Sequence, residues 1–475
     1  MKKYIWSICI ASALISCKQE PKVEDTTQSE TIVDYQPITD EDLENAVIYE
    51  ANIRQYSEAG TFNEFTKDIP ELKELGVKVI WLMPVFPISE KNRKAKGDLM
   101  VQDIKDENER KKYLGSYYAV ADYTAVNPDL GTEEDLDKLI KTAHENGMYV
   151  ILDWVANHTG WDNKWITEHP EWYTQNEAGE IIHPAGTDWT DTADLNYDNQ
   201  EMRQAMTAAM KYWVEKHDID GFRSDVAHEV PTDFWNNTVA ELESVKPLFM
   251  LAESEKKDLF ESAFDMGYNW EGHHLMNQLA QGEIDVTAWD AYMNKIDTTY
   301  QQDDILMNFI TNHDENSWNG TVKERMGNAQ DAMLAFQYII PGMPLIYSGQ
   351  EYGMEKRLKF FEKDSIPKTK GRVWEQMKKL GEIKATNPAL HGGINAANYK
   401  RLSSNDDKKI FAIERSKDGS QIFFIANLSK EPVKAKISGM SGAYRDLMSG
   451  TTVNIKQEKL TDMGSFAYLL LEPVK

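Results

Sequence analysis

A chain of 475 residues is longer than one ordinary domain, at roughly 100–200 residues each, and has the material for a large core divided into two or three units. Its 78 acidic against 52 basic residues give a formal net charge of -26, which repels nucleic-acid phosphates and anionic lipid surfaces. A neutral polymer is indifferent to that field, and with only Cys9 and Cys17 present no disulfide framework is expected.

Lys2 and Lys3 precede an apolar run from Tyr4 to Ile15 that is too short to span a bilayer, so residues 1–16 read as a secretory signal peptide. The run ends in Leu14-Ile15-Ser16-Cys17, which resembles a bacterial lipobox, where cleavage before the cysteine leaves a thiol to be acylated. An ordinary signal peptide with an incidental cysteine is the other reading. Lys18, rather than Asp, follows Cys17, which points to an outer-membrane anchor, with lipid as the only membrane contact. Residues 17–38 are polar and acidic and read as a flexible tether, with a reach on the order of 25 Å.

From Ala46 onward short β-rich runs alternate with amphipathic stretches, the signature of a parallel sheet or barrel. Strands are expected at residues 47–53, 77–83, 149–154, 221–225, 249–253, 263–268, 306–311 and 344–348, eight in all, with helices at 62–75, from Gly131 to Gly147, and at 200–217. Residues 87–129 are too many for an ordinary loop and mark an insertion. Residues 159–199 lack helical periodicity but carry Trp161, Trp165, Trp172, Tyr173 and Trp189, a small excursion domain whose rings either fill its core or face sugars. Beyond Asn387, short strands at 409–415, 421–428, 433–437 and 466–471 have the spacing of an antiparallel sandwich. The expected organisation is therefore an α/β (β/α)₈ barrel over 39–158 and 200–386, an inserted domain at 159–199, and a C-terminal β-sandwich at 387–475.

Four strand ends carry a carboxylate after an apolar run: Asp153-Trp154-Val155-Ala156-Asn157-His158, Gly221-Phe222-Arg223-Ser224-Asp225, Leu251-Ala252-Glu253 and Thr311-Asn312-His313-Asp314. A barrel gathers such ends at one mouth. Three acids there, with Arg and His, are what glycosidic-bond cleavage needs: one carboxylate to attack the anomeric carbon and one carboxyl to protonate the leaving oxygen. Arg223 and Asp225 share a strand face, so the guanidinium is expected to lower the pKa of Asp225 and keep it charged as nucleophile. Glu253, approached by apolar residues, is expected to hold a raised pKa as general acid, with Asp314 as a third carboxylate and His158 and His313 as donors to sugar hydroxyls.

Those four stretches, in this order, resemble the conserved regions of the α-amylase superfamily, glycoside hydrolase family 13. The resemblance implies a barrel with a domain B after strand three and a sandwich domain C. It implies Asp225 as nucleophile, Glu253 as acid/base, Asp314 as transition-state stabiliser and Arg223 as partner of the nucleophile. His158 and His313 would bind the cleaved sugar, Tyr118 would stack on it, and Asp153 would support Arg223. Two departures matter. His228-Glu229 after the nucleophile is closer to neopullulanases and cyclomaltodextrinases than to strict starch α-amylases, and Gly115 stands where exo-acting α-glucosidases of the family usually carry Asp, which favours internal cleavage. Many relatives bind calcium between barrel and domain B. Asn157 and Asp194 match two such positions and Glu229 a third through its backbone oxygen, although Asn157 can equally serve the loop without metal.

The implied activity is a retaining, endo-acting hydrolase of α-1,4-glucans or maltooligosaccharides. Neopullulanase-like or transglycosidase chemistry, and a non-catalytic glucan-binding lipoprotein, are the alternatives. No nucleic-acid partner and no organic cofactor are expected.

Overall fold

The computed structural model describes residues 35–456 and 461–474. The expected signal peptide, Cys17 and residues 17–34 of the expected tether lie outside the described residues. Tyr35, near the end of that stretch, packs against the foot of the barrel, its ring stacked 3.9 Å from that of His144.

Eight parallel strands close into a barrel: β1 Val47–Ala51, β2 Val77–Leu82, β3 Tyr149–Trp154, β4 Gly221–Ser224, β5 Phe249–Ala252, β6 Met266–Tyr268, β7 Ile305–Asn308 and β8 Met343–Tyr347. Each neighbours the next in sequence and β8 returns to β1. The strands are buried on both faces, as parallel strands sandwiched between a filled lumen and covering helices must be. Alternate residues, among them Ile48, Val79, Ile151, Leu251, Met307 and Leu345, fill the lumen. Their neighbours Val47, Tyr49, Ile80, Val150 and Met250 pack outward under helices such as Glu133–Glu145 and Gln200–His217. Gly221 permits the tight β4–β5 pairing, since a Cβ there would stand 1.9 Å from the Phe249 carbonyl oxygen.

Most expected elements form within a few residues of their predicted limits. The single helix expected at 62–75 is instead three short pieces, Phe62–Thr66, Ile69–Leu72 and Lys73–Leu75. Pro70 explains the break: without an N–H it cannot continue a helix, but it fits the first turn of a new one.

The chain from 398 onward forms β9 Asn398–Arg401, β10 Ile410–Lys417, β11 Ser420–Asn427, β12 Val433–Ala435, β13 Gly442–Asp446, β14 Thr452–Ile455, β15 Thr461–Met463 and β16 Tyr468–Pro473. Six of them make one sheet in the order β9-β10-β11-β16-β13-β14, and the β12–β15 pair closes over a separate apolar core including Ile410, Phe423, Ile437 and Leu471. No helix of the described residues is long and apolar enough to cross a membrane.

Candidate active site

The lumen-facing row of each strand stays apolar until the C-terminal mouth, then turns polar at the next inward position. On β1 Ile48 is followed by Glu50, on β3 Ile151 by Asp153, and on β5 Leu251 by Glu253. On β4, Gly221, Arg223 and Asp225 share that face by the two-residue period of a strand. The chemistry of the mouth is thus an extension of the packing pattern of the core.

Arg223 is the hub, with no exposed surface. Its Nη1 donates to Asp153 Oδ1 at 2.8 Å and to Asp225 Oδ1 at 2.9 Å, and its Nε donates to the Tyr268 hydroxyl at 3.2 Å. Nη2 lies 3.0 Å from Glu253 Oε2 without the alignment of a hydrogen bond. The guanidinium carbon also sits 4.9 Å from the centre of the Trp81 ring, whose Nε1 donates to Asp153 Oδ2 at 3.1 Å. Asp153 is completely buried among these partners, placed to hold Arg223 rather than to meet a ligand.

Glu253 Oε2 accepts the Val226 N–H at 2.8 Å. Val226, directly after Asp225, is held at φ 37°, a left-handed backbone that a β-branched residue adopts only at a cost of about 1–3 kcal/mol. The donated amide belongs to the peptide unit that follows Asp225, so one peptide unit links the two acidic residues.

His313 is surrounded. Its Nδ1 is bonded to Glu50, its Nε2 lies 2.7 Å from the Tyr118 hydroxyl and 3.4 Å from Asp314 Oδ2. Both ring nitrogens are therefore engaged by the protein, so His313 organises Tyr118 and Asp314 while it lines the cavity. Burial disfavours a charge on His313, yet Asp314 and Glu50 outweigh it and raise its pKa to about 9. His158 is the opposite case: burial pushes it down to about 3, and its Nδ1 faces the Asn157 amide nitrogen at 3.2 Å, which leaves Nε2 carrying the proton as a neutral donor.

The pocket holds five carboxylates, Glu50, Asp153, Asp225, Glu253 and Asp314, against two cationic groups, Arg223 and His313. Burial raises the pKa of Asp225, Glu253 and Asp314 above the ordinary carboxylate range and outweighs Arg223 and His313, while Asp153 is pushed up to about 7. Arg223 does pull Asp225 down, as expected, but the net direction is upward, because burial outweighs one guanidinium shared among three carboxylates. For Glu253 the rise matches the expectation.

A cavity of about 420 Å³ opens over these groups, lined by Tyr118, His158, Asp225, Glu253, His313 and Asp314 together with Lys94, Asp188 and Trp189 from the two insertions. Within residues 159–199, Trp165 and Trp172 are buried and fill the small unit's core, while Trp189 faces the cleft beside His158. Gly115, at φ 81°, has no room for a side chain, because a Cβ would meet Arg93 Cγ at 2.9 Å.

The three positions considered for calcium cluster at the joint of barrel and excursion. Asp194 pairs with His158, next to Asn157, in a two-stranded ribbon, and burial with the Glu229 charge nearby raises its pKa. Among the described residues no group of three or more His, Cys, Asp or Glu is arranged to hold a metal ion. Glu50 is the site residue the sequence reading passed over, although Val47-Ile48-Tyr49-Glu50 has the same carboxylate-after-apolar-run form as the four stretches above.

The profile of the alpha amylase catalytic domain matches residues 25–389. The chain belongs to the alpha-amylase family. It is similar to a noncanonic maltogenic alpha-amylase from Thermotoga neapolitana of known structure, 27% identical, with a TM-score of 0.79 and coverage of 91% of this chain and 99% of that one. It is 26% identical over 355 residues to alpha-amylase 3 of Dictyoglomus thermophilum, 66% of this chain and 64% of that protein. A cyclomaltodextrinase of Thermoanaerobacter pseudethanolicus is 23% identical over 459 residues, 88% of this chain and 72% of its own length. The chain spans just under two thirds of the length of that alpha-amylase 3, and the match to the catalytic domain covers its whole barrel.

Proposed function

We propose that the protein cleaves internal α-1,4-glucosidic bonds of starch-type glucans or maltooligosaccharides with retention of configuration. Asp225 attacks the anomeric carbon, and Glu253 protonates the departing oxygen and then takes the proton of the incoming water. The single observation that carries this reading is the contact of Asp225 and Glu253 with the same buried guanidinium. Their shared partner is compatible with the carboxyl spacing of roughly 5–5.5 Å that retaining enzymes use, rather than the wider gap that admits a water. Glu253, raised by burial, suits an acid that must hold its proton until the bond breaks. Asp225 meets the positive charge of Arg223, which favours the ionised form once Glu253 carries a proton. Asp314, backed by His313, faces the charge that develops on the sugar.

Two features favour a neopullulanase- or cyclomaltodextrinase-like substrate range. One is His228, whose Nδ1 lies 3.4 Å from the Glu253 carbonyl oxygen on the leaving-group side, and the other is the likeness to a cyclomaltodextrinase. Gly115, where exo-acting members of the family usually carry Asp, supports internal over terminal cleavage. Incubation with starch, pullulan, cyclodextrin and maltotriose, with products resolved by size, tests the reading. A ladder of short maltooligosaccharides from starch is expected, and products confined to single glucose units removed from chain ends would overturn it.

Export, acylation of Cys17 and outer-membrane anchoring are part of the same proposal, supported by the N-terminal pattern of charge, apolar run and cysteine. A calcium ion is proposed at Asn157 and Asp194, where an amide oxygen and a partly buried carboxylate supply hard ligands, with the Glu229 backbone oxygen as a third and water filling the remainder of the roughly 6–8 oxygens that calcium takes. It would fasten the excursion to the barrel. A chelator should then lower the melting temperature, and calcium should restore it.

A further inference from the structure

The rim of the cleft beside β7, β8 and β1 is aromatic. Trp318 is 52% exposed and sits in the π-helical turn Glu315–Asn319 that starts directly after Asp314. Its ring lies 5.1 Å from that of Phe360 and 6.0 Å from that of Phe361. Phe360 in turn lies nearly parallel to Tyr118, at 11° and 6.4 Å. All four rings line the cavity that holds Asp225, Glu253 and Asp314.

A singly exposed Trp is ordinary, but the turn that carries this one and the loop its ring packs on are tied down from several sides. Asn316 Oδ1 accepts the Leu358 N–H at 2.8 Å and its Nδ2 donates to the Lys356 carbonyl at 3.1 Å, which ties the Trp318 turn to the Phe360 loop. Buried Arg54 donates to the Phe360 carbonyl and, at 2.9 Å, to that of Gly115, so it fixes the Phe360 loop against the loop that carries Tyr118. The Leu114 N–H donates to the Phe361 carbonyl at 2.7 Å, and Gln55 Nε2 to the Lys359 and Glu362 carbonyls at 2.8 Å each. Ordering a loop costs conformational entropy, and here buried side chains from the end of β1 offset that cost to present rings to the cleft.

Glu253 comes from β5 and marks the leaving-group side. The aromatic shelf springs from the ends of β7 and β8 and is tied to β1, across the barrel from it. We propose that Trp318, with Phe360 and Phe361, is a sugar-stacking position on the non-reducing side of the cleaved bond, and that Trp318 sets the enzyme's preference for longer over shorter chains. This rests on the glycosidase reading above. The apolar face of a pyranose ring suits an aromatic face, and rigid rings give up little entropy on binding.

4-Nitrophenyl α-glycosides carrying one, two, three or four α-1,4-linked glucose units test it, because the aryl leaving group keeps the other side of the cleft nearly empty. In the wild-type enzyme kcat/KM should rise with the number of sugars. Trp318→Ala should cut the advantage of the trioside over the glucoside on the order of tenfold, which is about 1.4 kcal/mol of stacking, and Trp318→Phe should keep most of it. An unchanged ratio in Trp318→Ala, or an equal loss on every chain length, overturns the shelf. Wild-type protein that releases no nitrophenol overturns the glycosidase reading instead. The shelf is then decided by maltotriose affinity measured by calorimetry in Glu253→Gln protein, where adding Trp318→Ala should weaken binding by the same factor and no change would refute it.

Discussion

Two aspartates five residues apart, at opposite ends of β4, are treated in opposite ways by the same barrel. Asp220, at the foot, has no exposed surface, yet each of its oxygens is satisfied. Oδ2 accepts the Val150 N–H at 2.7 Å and faces His144 Nε2 at 2.8 Å, while Oδ1 accepts Lys246 Nζ at 3.1 Å and the Tyr35 hydroxyl. Burial works against its charge, but His144, Lys246 and Tyr35 outweigh that and hold its pKa below the ordinary carboxylate range. Asp225, at the mouth, shares one guanidinium with two other acids, and burial raises it. The foot is built to be stable, whereas the mouth keeps an excess of buried carboxylate that only proton transfer or a positively charged transition state relieves.

Substitution should separate the two ends. Asp225→Asn is expected to lower turnover of maltooligosaccharides on the order of a thousandfold or more, while the melting temperature holds or rises, because a costly buried charge is gone. A melting temperature that collapses with activity would place Asp225 in the scaffold instead. Asp220→Asn should do the reverse: a stability loss of about 3–5 kcal/mol in urea unfolding, with kcat of the folded fraction within about twofold of wild type. Since the folded pKa of Asp220 is depressed, its contribution is present above the unfolded value near 3.8 and is lost as pH falls through the lower folded value, so the gap between the two proteins should shrink below about pH 4.

A smaller effect concerns Glu351, just after β8, whose oxygens accept the Tyr49 hydroxyl at 2.6 Å and the Gly349 N–H at 2.8 Å. Burial raises it to about 7 from 4.5. The native state therefore keeps a proton that the unfolded chain loses, and wild-type stability should fall by on the order of 3 kcal/mol as pH rises from about 4.5 to 7. Glu351→Gln should flatten that part of the unfolding profile, and an unaltered slope would show that Glu351 is ionised in the native state. Tyr35→Phe, which removes one of several donors to Asp220, should cost only about 1 kcal/mol by the same unfolding measurement.

The barrel was legible in sequence because strand periodicity and helix punctuation agree along the whole run from β1 to β8, and because Asp153, Asp225 and Glu253 continue the inward apolar rows of their strands. What escaped depended on partners distant in sequence. Glu50 looks like any strand-end acid until His313, contributed from beyond β7, meets it. The direction of the Asp225 shift could not be read from Arg223 alone, since it follows from how many acids share that guanidinium and how deeply they are buried. Trp318, in a polar run after Asp314, reads as a surface residue, and only the Arg54 and Asn316 hydrogen bonds show that its neighbours are fixed. Pro70 lies inside the apolar period that suggests one helix over 62–75, and that period masks the break it imposes.

The most direct measurement is proton NMR of the first product released from a maltooligosaccharide, before mutarotation, using wild-type protein. A newly formed reducing end in the α configuration is expected if Asp225 forms a glycosyl ester that water, activated by Glu253, then opens. A β-configured product would mean that water attacks directly, and the pairing of nucleophile and acid on one guanidinium would have to be abandoned.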